Sequence, residues 1–579
     1  MIHWQTYYHQ NKHLPLGKIM EGYQKLLQEY NERLLLVTQN TPPPSSAAAS
    51  SQRIVYPLSF GILYSLAGAN SPTSIRFNTK INNTLVAGQE LSYVVSTNSN
   101  PSQGSTINGS TNVINSFLDT GSIVSSTVTG LTANTTYYYW LYDNRSDNYL
   151  SSSINTESYN YTYLGKFKTL PTSTSPYAFS ASYGSCMQSL STSTIFNKIS
   201  EYNPNFFIHM GDIFYWDDAT EPDYLNERES SYQSVFASGS EYIKYPGTYA
   251  NPNYFPYLIR NTTFDYVWDD HDYGNNNSDS TNVNKGYASQ AVEALFPNYD
   301  FPSTSSIYQS ASVDVSTKAI NHKFTAGRIK FIVTDNRSQR SPYTDTDNSS
   351  KIIWSQQQED WFMNEMKDTA YPVKIWVNSF PWEGNDSNPL WTGDDGWEKY
   401  TTYRSKIANF FTANSSSIGK IIILSGDAHM TSIDDGTLSP WYGSGSKINP
   451  PITIHQSAPL DQGGSRKGGP YVLNGADIWQ NSSIIYQQND ANYSKAITGL
   501  TSSYITSNNR YGCMEVQDDL STIKIDLYSR SGNTTITSSA GDQRFPSVNG
   551  DYKKFRITLN TSNYISGSGG SIIETRSFV

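Results

Sequence analysis

Five short clusters in this chain hold side chains that ligate cations. They are Gly184-Ser185-Cys186, Met210-Gly211-Asp212-Ile213-Phe214-Tyr215, Trp268-Asp269-Asp270-His271-Asp272, Val377-Asn378-Ser379 and Ser425-Gly426-Asp427-Ala428-His429. Together they offer a thiol, a phenol, carboxylates, an amide and imidazoles. A lone Gly-Asp is an ordinary turn, and a single Asp-x-His is more often a surface loop than a ligand pair. Repetition lifts the set above that reading, because each cluster follows directly on an apolar, strand-like run. Open α/β sheets place their sites at such strand ends. Donors of these types can hold hard and borderline cations about 3.5–4 Å apart, with a carboxylate such as Asp212 bridging them. A cation pair makes hydroxide from bound water near neutral pH and neutralises the equatorial oxygens of a phosphoryl group under attack. Thiolate and phenolate in one site favour trivalent, redox-capable iron, and oxygen-only ligands suit calcium, manganese or magnesium.

The elements that must position these clusters are legible as patterns. Ala178 to Ser182 alternates like a strand, Ser193 to Tyr202 reads as a helix, and Phe206 to Met210 reads as a buried strand, which makes a β-α-β unit. Further strands are expected at Thr263–Trp268, Ile329–Thr334, Val373–Ser379, Ile421–Ser425 and Ile452–His455, with a helix over Trp354–Lys367. Strands return between Arg510 and Leu559. The expectation over 172–579 is an α/β (α+β) layered sheet core with flanking helices. Upstream, 53–171 is a run of short strands and polar turns, with Thr135 to Tyr142 rich in β-formers. It reads as a β-sandwich similar to fibronectin type III modules. Residues 1–52 hold an amphipathic helix over Leu14–Val37, then a Pro/Ser/Ala linker. That helix either docks on the protein's own body or serves self-association.

Composition excludes several classes. Across 579 residues, 50 acidic against 40 basic side chains give a net charge of −10, which rules out a general nucleic-acid coat. An anionic substrate is still compatible where a local cation outweighs the average field. Only 16% of residues are charged and 14% are aromatic, so the chain builds a core and is not a disordered polyelectrolyte. Two cysteines cannot form a disulfide framework. The longest aliphatic run, Leu34-Leu35-Leu36-Val37, falls far short of the roughly 20 residues that span a bilayer. Met1 to Tyr8 lacks the features of a secretory signal. No transmembrane segment or signal peptide is expected, and no compartment is assigned.

The five clusters, in this order, resemble the PhoD-like alkaline phosphatase/phosphodiesterase family of the calcineurin-like metallophosphoesterase superfamily. That family shows a small β-domain, then Ser-Cys, Gly-Asp-x-x-Tyr, Trp-Asp-Asp-His-Glu and Gly-Asp-x-His. Asp335 to Ser341 is similar to its Asp-x-Arg-x-x-Arg stretch, and Asp395-Gly396-Trp397 through Tyr400 to Arg404 to its Gly-Tyr-x-x-x-Arg stretch. The resemblance implies Fe(3+) on Cys186, Asp212, Tyr215 and the terminal Gly-Asp-x-His motif, with Ca(2+) on neighbouring oxygen ligands and other divalent metals as substitutes. It implies that Asp212 bridges, that Asp270 stands where the superfamily has the Asn of Gly-Asn-His, and that Asn378 and Asp427 stand where it uses His. His429 closes the ligand set. His271 is then a non-ligand histidine that contacts phosphate and assists the leaving oxygen. Arg337 is either a phosphate partner or part of a structural salt bridge. The chain departs from the family pattern at Asp272, where Glu is usual, at Trp216-Asp217 after Tyr215, and at Met187 before Gln188.

Plainer readings hold for other residues. Cys513, His209 and His455 are expected in the core, Asp217 and Asp218 in solvent. Asp269, Asp272, Asn275 and Asn276 either shape loops or support ligands from outside. Two functions follow: hydrolysis of phosphate monoesters or diesters by a metal-bound hydroxide, with small phosphate esters as partners, or a weakly active or inactive surface protein that keeps the same fold.

Overall fold

The computed structural model describes residues 62–81, 91–99, 106–109, 112–115, 122–143, 161–188, 191, 193–215, 235–236, 255–283, 285–302, 306–310, 313–382, 396–434, 452–462, 472–473, 476–477, 484–489, 509–531 and 554–578. The expected helix over 14–37, the linker that follows it, and Asp217, Asp218 and Asp395 lie outside them.

From residue 62 to 168 alternating apolar and polar residues make short antiparallel strands. β1 (Ile62–Gly68), β2 (Ser74–Ile81), β6 (Ser122–Thr129) and β5 (Asn112–Asn115) form one sheet in that order, and β4 (Thr106–Gly109), β3 (Leu91–Ser96), β7 (Thr136–Asp143) and β8 (Tyr161–Lys168) form a second. Period-two alternation sends Ile75, Phe77, Tyr93, Val95, Tyr139 and Phe167 into one core between them. The Phe77 ring lies 4.8 Å from Tyr93 and 4.5 Å from Tyr139, so alternate residues of the β-former run, Tyr137, Tyr139 and Leu141, line the inside of a sandwich.

The remainder is built on two mixed seven-stranded sheets. The first runs β11 (Thr263–Tyr266), β10 (Phe206–His209), β9 (Phe179–Gly184), β23 (Arg510–Asp518), β24 (Thr522–Ser531), β25 (Phe555–Asn560) and β28 (Ile573–Phe578). The second runs β14 (His322–Ala326), β15 (Ile329–Val333), β16 (Val373–Asn378), β17 (Lys420–Ser425), β19 (Thr453–Ser457), β18 (Met430–Asp434) and β22 (Ile484–Asn489). Three short pairs complete the strands: β12 (Ser306–Ser310) with β13 (Val313–Lys318), β20 (Val472–Leu473) with β21 (Ala476–Asp477), and β26 (Tyr564–Ile565) with β27 (Gly569–Gly570). β9, β10 and β11 are parallel, as are β15, β16, β17 and β19.

The two large sheets pack face to face. Phe331 of β15 stands 6.3 Å from Phe179 and 5.3 Å from Phe206 across the gap. Val333, Val373, Ile375, Val377, Ile422 and Leu424 join the same core. The alternate residues Ile332, Trp376, Ile421 and Ile423 face the other way, onto helices α5 (Gln356–Met366) and α6 (Thr401–Ala413). Ser355 starts α5 as its N-cap, its side chain accepting from the Gln358 N–H. Outside the first sheet, Phe207 meets Phe255 of α2 (Phe255–Asn261) at 6.3 Å, and Phe196 of α1 (Ile195–Tyr202) meets Phe255 at 5.3 Å. The α+β order is therefore helices, sheet, sheet, helices.

The sandwich is locked to this body. Arg76 reaches the Asn298 carbonyl and the Asp300 carboxylate, both at 2.6 Å. Tyr139 donates to the Arg260 carbonyl at 3.2 Å. A Cβ on Gly165 would lie 1.8 Å from that carbonyl, so only glycine permits the approach. No helix among the described residues is long and apolar enough to cross a membrane.

Candidate metal centre

Parallel registry brings the cluster-bearing strand ends to one edge of each sheet: His209 pairs with Gly184 and Tyr266, and Asn378 with Ser425. The loops leaving these ends are bonded to one another. Cys186 N donates to Gly211 O at 3.1 Å, Met187 N to Asp212 O at 2.9 Å, Gly426 N to Ser379 O at 2.9 Å, and Asp427 N to Ser185 Oγ at 3.2 Å. Gly211 has φ +97°, and a Cβ there would meet Asp269 Cβ at 2.4 Å. Three non-glycine ligand candidates are also left-handed: Cys186 (φ 64°), Asp212 (φ 55°) and Asp427 (φ 61°). Such residues each hold about 1–3 kcal/mol of strain and cluster at functional sites. Gln456 of β19 steadies the turn at Asp427, its side-chain amide donating to Gly426 O and to Ala428 O.

The side chains converge on Asp212. Three groups have ligand atoms within 4.8 Å of one another: Cys186, Asp212 and His429; Asp212, Asp270 and His271; and Asp212, Asp269, Asp270 and Asp427. Tyr215 joins the first group, its hydroxyl 3.1 Å from Asp212 Oδ2 and 2.9 Å from His429 Nε2. Cys186 Sγ is 3.5 Å from the same Asp212 oxygen. Burial pushes the Asp212 carboxyl well above its usual range, with Asp270, Asp269 and Asp272 adding to the effect and His271 opposing it. Burial likewise raises Asp269 to about 7, against the pull of Arg337. The Cys186 thiol and Tyr215 phenol are raised by burial first and by Asp212 next. Asp269 Oδ2 is buried with no hydrogen-bond partner among the described residues. So many acidic groups packed out of water fit a bound cation, which reverses each of these penalties.

Two of the expected site residues are bonded to their neighbours. Arg337 is fully buried and ion-paired, its Nε 2.5 Å from Asp269 Oδ1 and a terminal nitrogen 3.4 Å from Asp270 Oδ1, over the face of Phe380. These contacts are those of the salt-bridge reading. Asn378 Oδ1 already accepts from Asn336 at 2.6 Å and Trp397 at 3.0 Å, and its amide donates to Phe380 O at 2.6 Å. Asn378 thus sits in an amide–indole network. Trp397 and Arg404, which donates to Trp382 O at 2.9 Å, prop this wall from the aromatic stretch. His271 and His429 are 8% and 7% exposed while Cys186, Asp212, Asp270 and Asp427 are at most 1%, so the histidines are the members of the site nearest solvent. The Tyr215 ring lies 4.3 Å from the His271 ring.

The core residues behave as expected. His455 is held by Tyr183 at 2.6 Å and Ser529 at 2.9 Å, Cys513 lies in β23, and burial lowers His209 to about 3. Sequence reasoning placed Ser185 and Ser379 in its clusters without a role and did not find Gln456. Their role is to hold other loops, and nothing in their local pattern marks it. It left Asp269 ambiguous, though its place beside Asp270 was the available signal.

Residues 181–448 match the family model described as PhoD-like phosphatase. Over these residues the chain is similar to that family. A solved structure of PhoD is similar at 16% identity, covering 91% of this chain and 90% of that one, with a TM-score of 0.55. At that identity the likeness carries the fold. No curated protein matches the chain. The matched stretch contains all five clusters, from Gly184 to His429, and both sheet edges that present them.

Proposed function

We propose that this chain hydrolyses phosphate monoesters, diesters or both at the centre around Asp212. The observation that carries the reading is Asp212 itself, shared by a soft-donor group and a carboxylate group whose atoms lie within 4.8 Å. Iron(III) suits Cys186, Asp212, Tyr215 and His429, and calcium suits Asp212, Asp269, Asp270 and Asp427. When bound, the cations supply Lewis acidity to the phosphoryl oxygens and to the attacking water. The chain's own residues do the rest. His271, with His429 nearest solvent, donates a hydrogen bond or proton to the departing oxygen, with the Tyr215 ring fixing its plane. Arg337 holds Asp269 and Asp270 turned toward the donors and keeps their summed charge tolerable without a cation. We assign the body to the metallophosphoesterase type of layering, with a fibronectin III-like sandwich over 53–171 and the catalytic part over 172–579.

The test is to purify the protein, measure iron and calcium content, and assay aryl phosphomonoesters and phosphodiesters. Thiolate and phenolate on ferric iron give visible absorption. Asp212→Ala should lose the colour and at least about 100-fold of the activity. Full metal occupancy with no hydrolysis above that variant would point instead to an inactive surface protein.

A further inference from the structure

Asp272 lies next to His271, and among the described residues no atom of it belongs to the three donor groups. It is fully buried. Its carboxylate accepts three hydrogen bonds: Oδ1 from Asp269 N at 2.6 Å, and Oδ2 from Ile213 N at 3.3 Å and Tyr266 OH at 2.6 Å. Two of these donors are backbone groups on different loops. Ile213 follows Asp212, and Asp269 precedes Asp270. One carboxylate thus spans the gap between the loop after β10 and the loop after β11.

We infer that Asp272 is a positioning residue that sets the spacing between Asp212 and Asp270. The inference rests on the reading of this centre as a cation site. Three donors converge on Asp272, and it offers no donor in return, so only an acceptor-only side chain of this length satisfies them all. The loops are already in contact where Gly211 meets Asp269, and the His271 N–H reaches Asp212 Oδ1 at 3.4 Å. Asp272 holds that contact at fixed length from the far side. Its bond to Asp269 N also closes the capping box of the short helix α3 (Asp270–Tyr273), a local duty that alone would not concern Asp212.

Three variants of the full chain separate these roles. Tyr266→Phe removes one donor and leaves both backbone legs. Asp272→Asn puts an amide against N–H donors and breaks the span. Asp272→Glu keeps the acceptors and lengthens the strut. Each is stripped of metal, and its thermal midpoint and its Mn²⁺ affinity by calorimetry are measured. Asp272→Asn should lose about 10–100-fold in Mn²⁺ affinity, as supporting residues around metal ligands do, while Tyr266→Phe stays within about threefold. Asp272→Glu should fall between, and it decides the matter if Asp272→Asn does not fold. The inference is overturned if Asp272→Asn, or Asp272→Glu in its place, binds Mn²⁺ as the wild type does. It is also overturned if affinity falls in step with the thermal midpoint across the whole set, as a cap alone would produce. Affinity is read without turnover, so a wild type that binds Mn²⁺ but cleaves no phosphate ester defeats the hydrolase reading and leaves this one standing.

Discussion

At the scale of single residues, crowded acids make stability depend on both pH and metal. Asp269 is raised from 3.8 to about 7 by burial, so the metal-free folded state binds a proton that the unfolded chain releases near pH 4. A raised carboxyl favours the folded state at low pH, and that advantage is lost as pH rises through about 7. The gap in urea midpoint between loaded and chelator-treated protein should therefore widen from pH 5 to pH 8. A gap that stays constant would show that Asp269 does not feel the cation. His322 follows the same sign through a different chemistry. Burial opposes its charge, but Asp265 at 2.9 Å, with the Ile320 carbonyl at 2.7 Å on the other nitrogen, raises it overall. Both partners accept, so both ring nitrogens carry protons and the imidazolium ties β14 to β11. Its contribution is full below about pH 6.5, the unfolded value, and fades as pH rises through the raised folded one. The stability difference between wild type and His322→Gln should shrink on going from pH 5.5 to pH 9.

At the scale of elements, the loops depend on close approach. Gly211→Ala combines an unfavourable φ with a Cβ 2.4 Å from Asp269 Cβ, so the β10 and β11 loops must part. We expect it to destabilise by about 2–4 kcal/mol and to abolish metal binding, read by denaturation and calorimetry. How much of this was legible follows from what a local pattern can contain. Apolar runs followed by ligand-type residues announced β9, β10, β11, β16 and β17 within a residue or two. They did not announce that β23 pairs with β9, some 330 positions away, because pairing between distant strands leaves no local trace. The bond from Trp397, on the far side of a loop, to the Asn378 amide was invisible for the same reason. The two roles of Arg337 were both readable, but its distances to Asp269 and Asp270 were not.

At the scale of the whole molecule, the sandwich acts as a buttress. Tyr64, Leu66, Ile123 and Leu170 belong to the main core of the body. Gly165→Ala would drive its Cβ into the Arg260 carbonyl at 1.8 Å, and thermal unfolding should show the sandwich and the body both weakened in one transition. Two separate transitions, with the body's unchanged, would show that the two parts unfold independently.

Cys186 and Asp212 leave one sheet, while Asp427 and His429 leave the other. An ion held by Cys186, Asp212 and His429, or one held by Asp212 and Asp427, would be a rivet through two plates that Phe179, Phe206 and Phe331 already press together. Extracting it means prising those plates apart, so exchange with isotopically labelled metal should be slow and steeply temperature-dependent, and loading should be fastest while the chain is still folding.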